Sequence, residues 1–498
     1  MVRVRAFGQR ALLVCILGFS IACSDNSHKT SVNPNPVYLP VANPVVSDPP
    51  DAGSIVLQST VFDLANVGYR QREFFLSGSA TAFKNLSELN PDGQWAVEPG
   101  ETADYQTRVV VYRPIDSADF SGTVIVEWLN VTSGFDIPPS YIAGHTEMLR
   151  AGHAWVGVSA QIVGIEGSER GLLPLYLKAA NPERYDELLH PGDSFSYDMF
   201  SQVAQAVREP GNVDILEGLV PQHILATGES QSASRMTTYI NAVHPLYNTF
   251  DGYMVHSRGD GSSALAQDPL TPIATPETVR IRTDLNVPVM TFETETDLFY
   301  LGYVSDRQED TDIFRLWEVA GTAHADYYFS NSGRNDDGTG AEFATVVEDD
   351  SIAGVLKCDL PINSGPQAWV FNAAVNALDN WVRTGAEPPI ADRLAVTDDQ
   401  SSFIYDDLGN VIGGIRTPYV DAPAAILSGE GQEGGGFCFL FGTTQLLDAP
   451  QMASLYVDKA GYEQAVSDAT DQAVDMGFLL PADAQRIKAA ASLQWDSL

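Results

Sequence analysis

Positive charge is scarce in this 498-residue chain: 28 lysines and arginines face 65 aspartates and glutamates, a formal net charge of −37. Such a surface repels phosphate backbones and anionic headgroups, so nucleic acid is not expected as a partner. Histidine is sparse, at eight residues, so any chemistry that needs an imidazole has few places to go. Cysteine is rarer still, at four, too few for a disulfide-built scaffold, and no Cys/His spacing matches a zinc site. No metal and no cofactor is expected. Also missing are any internal repeat and any apolar run long enough for a secure membrane span. The remaining composition is that of a globular protein. Hydrophobic residues make up 44%, enough for a large core and too many for global disorder.

The N-terminus carries what basic charge there is. Arg3, Arg5 and Arg10 precede the apolar run 11–19, and the small residues Ser20 and Ala22 lead to Cys23. Basic start, short apolar centre and small residues at a cut predict a signal peptide over 1–22. Cys23 directly after Ala22 resembles a bacterial lipobox, where the thiol takes a diacylglyceryl group. Ser20 stands where that pattern favours leucine, so simple cleavage after Ala22 stays open. The expected location is the cell envelope, as an outer-membrane lipoprotein or as a periplasmic or secreted protein, with membrane contact only through Cys23. Residues 23–53 hold Pro34, Pro36, Pro40, Pro44, Pro49 and Pro50, which predicts an extended tether without a core of its own. Cys15 leaves with the leader, so Cys358 and Cys438 remain as an even pair in an exported chain, and a disulfide between them is expected.

From Ser54 the texture changes. Apolar, β-branched stretches at 55–62, 72–78, 107–112 and 122–128 read as strands. Helical and strand patterns then alternate: helix from Tyr141 to Arg150, strand 154–159, helix from Tyr197 to Val207, and strands at 223–227, 250–256, 289–292 and 314–319. A long helix spans Gln367 to Thr384. This alternation predicts an α/β domain over 54–386, with a mostly parallel central sheet flanked by helices. Three stretches are too long for ordinary connections, 162–194, 257–286 and 325–361, and read as lid-like, pocket or surface insertions. Residues 387–498, with Gly-rich turns and two late amphipathic helices, read as a subregion packed on that domain.

The most informative stretch runs from His223 to Arg235. A short apolar strand ends in Gly228-Glu229-Ser230-Gln231-Ser232, and a helical pattern follows. Strand, sharp turn and helix around a serine form a nucleophile elbow, which exposes the hydroxyl at the turn. Ser232 stands where a second glycine is usual. Being small, it leaves tight strand–helix packing feasible.

A serine needs a base, and the base needs an orienting acid. Only His244, His256 and His324 follow Ser230. His324 sits in a small-residue turn after the strand 314–319 and is the candidate base, with His256, closing a strand, as its competitor. Between them the strand from Val289 ends in a turn rich in carboxylates. Asp297 falls where the acid is expected, with Glu295, Glu293 and Asp260 as rivals. For an oxyanion hole one donor is the amide of Gln231, directly after the nucleophile, and a second comes from the loop after the strand 122–128. That loop lacks an HGGG run, so Asn130 and Val131 are the candidates. Asn335-Asp336-Asp337-Gly338 has the oxygen-rich look of a calcium loop, but no bidentate glutamate follows at the EF-hand spacing, so an ordinary acidic turn is the expected reading.

Four motifs together carry a resemblance. They are Val124-Ile125-Val126-Glu127-Trp128-Leu129-Asn130-Val131, the run from His190 to Asp198, Gly228-Glu229-Ser230-Gln231-Ser232-Ala233, and Trp317-Glu318-Val319-Ala320-Gly321-Thr322-Ala323-His324. They resemble the bacterial exported proteins grouped as the alpha/beta hydrolase domain family, from about Val56 to the C-terminus. The resemblance implies the alpha/beta-hydrolase fold and a serine hydrolase with Ser230 as nucleophile and His324 as base. It leaves the acid and the substrate open. The reading is an exported serine hydrolase acting on a small-molecule carboxylic ester. A serine peptidase or amidase on the same fold, and a non-catalytic surface binding protein with a vestigial elbow, are the alternatives.

Overall fold

β-Branched and aromatic residues build one nine-stranded sheet, in the order β1-β2-β3-β5-β4-β6-β7-β8-β9. The strands are β1 (Val45–Ser47), β2 (Tyr69–Asn85), β3 (Val97–Pro114), β4 (Thr123–Trp128), β5 (Ala154–Val158), β6 (His223–Glu229), β7 (Gly252–His256), β8 (Val289–Thr294) and β9 (Phe314–Val319). β1, β2, β3 and β5 pair antiparallel in turn, and every pair from β5 across β4, β6, β7 and β8 to β9 is parallel. This computed structural model describes residues 38–169, 171, 173–352 and 356–498. The leader expected over 1–22, Cys23 and the spacer up to residue 37 lie outside the described residues.

Burial explains why the central strands are apolar throughout. All six residues of β4 are buried, because both faces of the sheet are covered. On one face Val124, Val126 and Trp128 pack with Tyr197, Phe200 and Val203 of the Ser196–Arg208 helix. On the other, Ile125, Leu225, Met254 and Phe292 meet Tyr141 and Met148 of the Pro139–Arg150 helix. Trp369, Phe371 and Val375 of the Gln367–Thr384 helix complete that layer. Every second side chain of a strand serves one layer, so these few strands organise two hydrophobic cores.

Two expectations about the N-terminal side are corrected. The tether reading of 23–53 is too long. Val45–Ser47 adds as an edge strand to Ser77, Leu76 and Phe75, Val46 enters the core, and Asn43 donates to Glu209 O at 2.7 Å. The prolines space these contacts without preventing them, because an edge strand tolerates gaps in its ladder. The stretch 55–62 is not a strand. Its backbone finds side chains and loops instead: Val56 N–H donates to the Tyr185 hydroxyl at 3.1 Å, Val56 O accepts from Arg108 Nη1 at 2.8 Å, and Val61 N–H donates to Arg334 O at 2.9 Å. Those partners are remote in sequence and invisible to periodicity.

The C-terminal segment 387–498 belongs to the same compact unit as the sheet. It holds a strand pair, Ala425–Ser428 with Thr443–Leu446, and three late helices where two are expected: Ala449–Tyr456, Lys459–Asp475 and Pro481–Ser497. Tyr462, Val466 and Ile487 bury against the Gln367–Thr384 layer. Cys358 and Cys438 are disulfide-bonded, with an S–S distance of 2.10 Å. Asp336, in the stretch with a calcium-loop look, instead accepts from Arg486 Nη2 at 2.6 Å and from the Tyr328 hydroxyl at 2.9 Å, tying the last helix to the body. Among the described residues no helix is long and apolar enough to cross a membrane.

Candidate active site

The polarity of the sheet gathers the candidate residues. β4 and β6 are neighbours although β5 lies between them in sequence, so the chain reverses direction across β4. In open parallel sheets, ligand sites form at the carboxyl ends of strands beside such a switch. Glu127 of β4 lies opposite Thr227 of β6, so Asn130 and Ser230, each three residues further on, emerge side by side. Thr294 of β8 lies opposite Val319 of β9, which delivers Asp297 and His324 to the same edge.

The elbow follows from two small residues. Ser230 takes φ +57° and ψ −119°, a backbone conformation rare for a side chain other than glycine. Its N–H donates to His256 O at 2.9 Å and its C=O accepts from Ser234 N–H at 3.0 Å, so the turn is held from the neighbouring strand and from the helix Gln231–Thr238. A Cβ on Gly228 would lie 2.8 Å from Ser232 O and 3.2 Å from Ser232 Cβ. The helix therefore crosses the strand where Gly228 has no side chain, and Ser232 fits in place of a second glycine. Its buried hydroxyl donates to Leu129 O at 3.2 Å, joining the elbow to the loop after β4.

Three side chains then meet. His324 Nε2 lies 2.8 Å from Ser230 Oγ, and His324 Nδ1 lies 2.6 Å from Asp297 Oδ1. With the Nδ1 proton directed at the carboxylate, the Nε2 lone pair faces the serine hydroxyl, the tautomer a general base requires. Asp297 is fixed by its local fold. It is the third residue of the helix Glu295–Phe299, and its Oδ2 accepts from both Thr294 N–H and Thr294 Oγ1 at 2.7 Å, a capping box. The His324 loop turns at Gly321, whose φ is +73°, and His324 N–H donates to Thr296 Oγ1 at 3.1 Å. Burial alone lowers the basicity of His324, but the carboxylates of Glu229 and Asp297 outweigh it and hold the imidazole above its usual range.

The rivals for these positions lie elsewhere. Glu295 accepts from Gly321 N–H at 2.6 Å and from Gly429 N–H at 2.7 Å, so it braces the His324 loop. Glu293 is fully buried beside Arg258 and Tyr303, where burial holds it far above the usual carboxylate range. Asp260 contributes its backbone to Leu301 and Val279. His256 stacks on Phe371 at 4.1 Å, with Nδ1 3.3 Å from Ser140 Oγ, and burial lowers it to about 3. It supports Ser230 through its carbonyl, not its ring.

Of the two amides considered after β4, Asn130 is excluded as a free donor. Its N–H donates to Ile137 O at 2.9 Å in an isolated bridge that closes the loop. The Asn130 side chain instead donates to Glu229 O at 3.1 Å and to Glu229 Oε2 at 2.9 Å. Among the described residues the Val131 N–H has no acceptor. Gln231 opens its helix, where amides lack an intrahelical acceptor and the dipole favours negative charge.

Glu229 is the residue that sequence reasoning passed over. Its Oε1 lies 3.2 Å from His324 Nε2, so that nitrogen has two oxygen neighbours. Burial pushes the Glu229 carboxyl up to about 7; His324 opposes the rise, Asp297 adds to it and the Asn130 amide opposes it. The available signal was a carboxylate at the end of the strand, directly before the elbow serine. Two insertions also converge beside this edge. Asp193 accepts from Arg235 Nη2 at 2.9 Å, one turn beyond Ser230, and Ser194 Oγ donates to Gln267 O at 2.8 Å.

Sheet topology, elbow and the serine–imidazole–carboxylate line define an alpha/beta-hydrolase architecture with a hydrolase-type site. Residues 41–489 match the family described as alpha/beta hydrolase domain. The chain belongs to that family. No curated protein matches it in sequence. Similar solved structures include a putative dienelactone hydrolase from Klebsiella pneumoniae subsp. pneumoniae, at 13% identity over 49% of this chain and 85% of the other, with a TM-score of 0.24. An esterase from Rhizomucor miehei is 15% identical over 51% of this chain and 78% of its own, with a TM-score of 0.27. Acetyl xylan esterase 1 from Thermoanaerobacterium sp. is 8% identical over 55% and 81%, with a TM-score of 0.28. Likenesses this small say nothing of what this chain cleaves.

Proposed function

We propose that this hydrolase is an exported serine esterase that cleaves small-molecule carboxylic esters through Ser230, His324 and Asp297. The observation that carries the reading is the unbroken line from Ser230 Oγ to His324 Nε2 to Asp297, at 2.8 and 2.6 Å. Ser230 Oγ attacks the ester carbonyl while its proton passes to Nε2, and Asp297 holds the imidazole in register and stabilises the imidazolium. The tetrahedral oxyanion takes the Gln231 and Val131 amides. The alcohol leaves with the proton from Nε2. A water then gives its proton to the same nitrogen and attacks the acyl-serine, releasing the acid and restoring the hydroxyl. Export is read from the leader at 1–22, with Cys23 as lipid site, and the Cys358–Cys438 bond suits an oxidising compartment.

The test is to label purified mature protein with a fluorophosphonate and locate the adduct by mass spectrometry, beside Ser230→Ala and His324→Ala. The expected result is one adduct on Ser230, lost in both variants. Folded wild-type protein that takes no label would replace this reading with that of a binding scaffold.

A further inference from the structure

His324 Nε2 faces two oxygens, and the proposed reaction uses only one. Ser230 Oγ lies at 2.8 Å and Glu229 Oε1 at 3.2 Å. The second contact is built: Glu229 is 7% exposed, and the Asn130 amide clamps both its carboxylate and its carbonyl. A bare carboxylate and a bare Nε2 lone pair repel at that distance, so the contact is favourable only with a proton between them.

We propose that Glu229 is a positioning residue, a second carboxylate on the imidazole that shares one proton with His324 Nε2 and sets the pH at which the base becomes free. This rests on the serine-hydrolase reading of the site. With the proton in place, Nε2 cannot accept from Ser230. Once it is lost to solvent, Nε2 takes the serine proton, and the Glu229 charge stabilises the imidazolium as it forms. Glu229 thus strengthens the base in the transition state and blocks it in acid. Both groups respond in the sense this requires: His324 is held above its usual range, and burial pushes Glu229 up to about 7. They titrate as a pair.

The other charged or titratable groups facing the pair do not supply the proton's second seat. Asp297 is engaged on Nδ1, the far side of the ring. His256, on β7, is lowered to about 3 and stays neutral. Glu127, on β4, is pushed up to about 8 by burial and is turned to Ser140 N–H, Tyr141 N–H and Trp155 Nε1.

The experiment follows the rate of fluorophosphonate labelling at Ser230 against pH for wild type, Glu229→Gln and Asn130→Ala. Glutamine keeps the shape and removes the charge. The acid limb should move at least about one unit to lower pH, and the high-pH plateau should fall about tenfold, as for loss of a neighbouring opposite charge. Asn130→Ala removes the donor that favours the Glu229 charge, so its limb should move the other way. A limb unmoved in Glu229→Gln, or both variants merely slowed by one factor at every pH, overturns the proposal while leaving the nucleophile intact. Absence of labelling in all three sinks the serine-hydrolase reading and this inference with it. If Glu229→Gln does not fold, imidazole 15N shifts in Ser230→Ala decide: a two-step titration of His324 coupled to a carboxyl supports the sharing, and a single uncoupled step refutes it.

Discussion

Replacing Asp297 by asparagine isolates the orienting acid with almost no change in shape. In the native site Asp297 Oδ1 takes the His324 Nδ1 proton at 2.6 Å, while Oδ2 accepts twice from Thr294 at 2.7 Å. Both Thr294 bonds demand an acceptor, so the substituted side chain would keep its oxygen there and turn its amide towards His324. An amide donates, so Nδ1 would have to accept and the imidazole proton would move to Nε2, facing Ser230. The base is then blocked by its own tautomer. The loss expected for a triad with the wrong tautomer is about 10³ to 10⁴ in the rate of serine attack, about 4 to 5.5 kcal/mol in the barrier. Stability should change little, because every buried hydrogen bond keeps a partner. The assay is the second-order rate of fluorophosphonate labelling of Asp297→Asn at neutral pH, beside a thermal melt. A rate within threefold of wild type, on protein that melts normally, would refute Asp297 as the acid.

Three further outcomes follow from the packing and the titratable core. Gly228→Ala should destabilise the protein by about 1 to 3 kcal/mol in urea unfolding and slow labelling, because its Cβ meets Ser232 O at 2.8 Å with backbone on both sides. Unchanged values for both would mean that the helix crossing is looser than described. Replacing Cys358 and Cys438 together by serine should cost about 4.5 kcal/mol by the loop-closure relation for a separation of 80 residues, and wild-type protein in reductant should match the variant. Burial lowers His244 to about 4 and His256 to about 3. The unfolded chain gains protons below about pH 6.5 that these folded sites refuse, so their contribution is present above that pH and is lost as pH falls towards 4 and 3. His244→Gln should flatten part of that decline in urea midpoint against pH, and an identical slope would exclude His244 as a cause.

Much of the site was legible because its parts are local. The elbow needs a strand, a glycine, a serine and a helix start in consecutive residues, and Gly228 to Ser232 shows them in order. His324 followed from scarcity: few histidines lie beyond Ser230, and only His324 comes after the carboxylate-rich turn. For the choice among Glu293, Glu295 and Asp297 the sequence offered only position, which favoured Asp297 and left the other two as rivals. The three alternate along one strand end and helix start, and their directions depend on the Thr294 cap and on Gly429, more than a hundred residues away. Asn130 was misjudged for the same reason, since its amide is used by Ile137 through a loop closure without a sequence signature.

By itself, then, the sequence determined the alternation of strands and helices, the parallel sheet, the elbow and the order in which Ser230, Asp297 and His324 follow one another, because each is a matter of short-range pattern and chain direction. Tertiary structure alone decided which carboxylate reaches His324, that 55–62 is bound by Tyr185, Arg108 and Arg334 and not by a ladder, and that Val45–Ser47 joins the sheet. It also decided that Glu229 shares Nε2 with Ser230. Those outcomes depend on which remote donor or acceptor satisfies a buried polar group, and the requirement that it be satisfied is enforced only when the chain has closed around it.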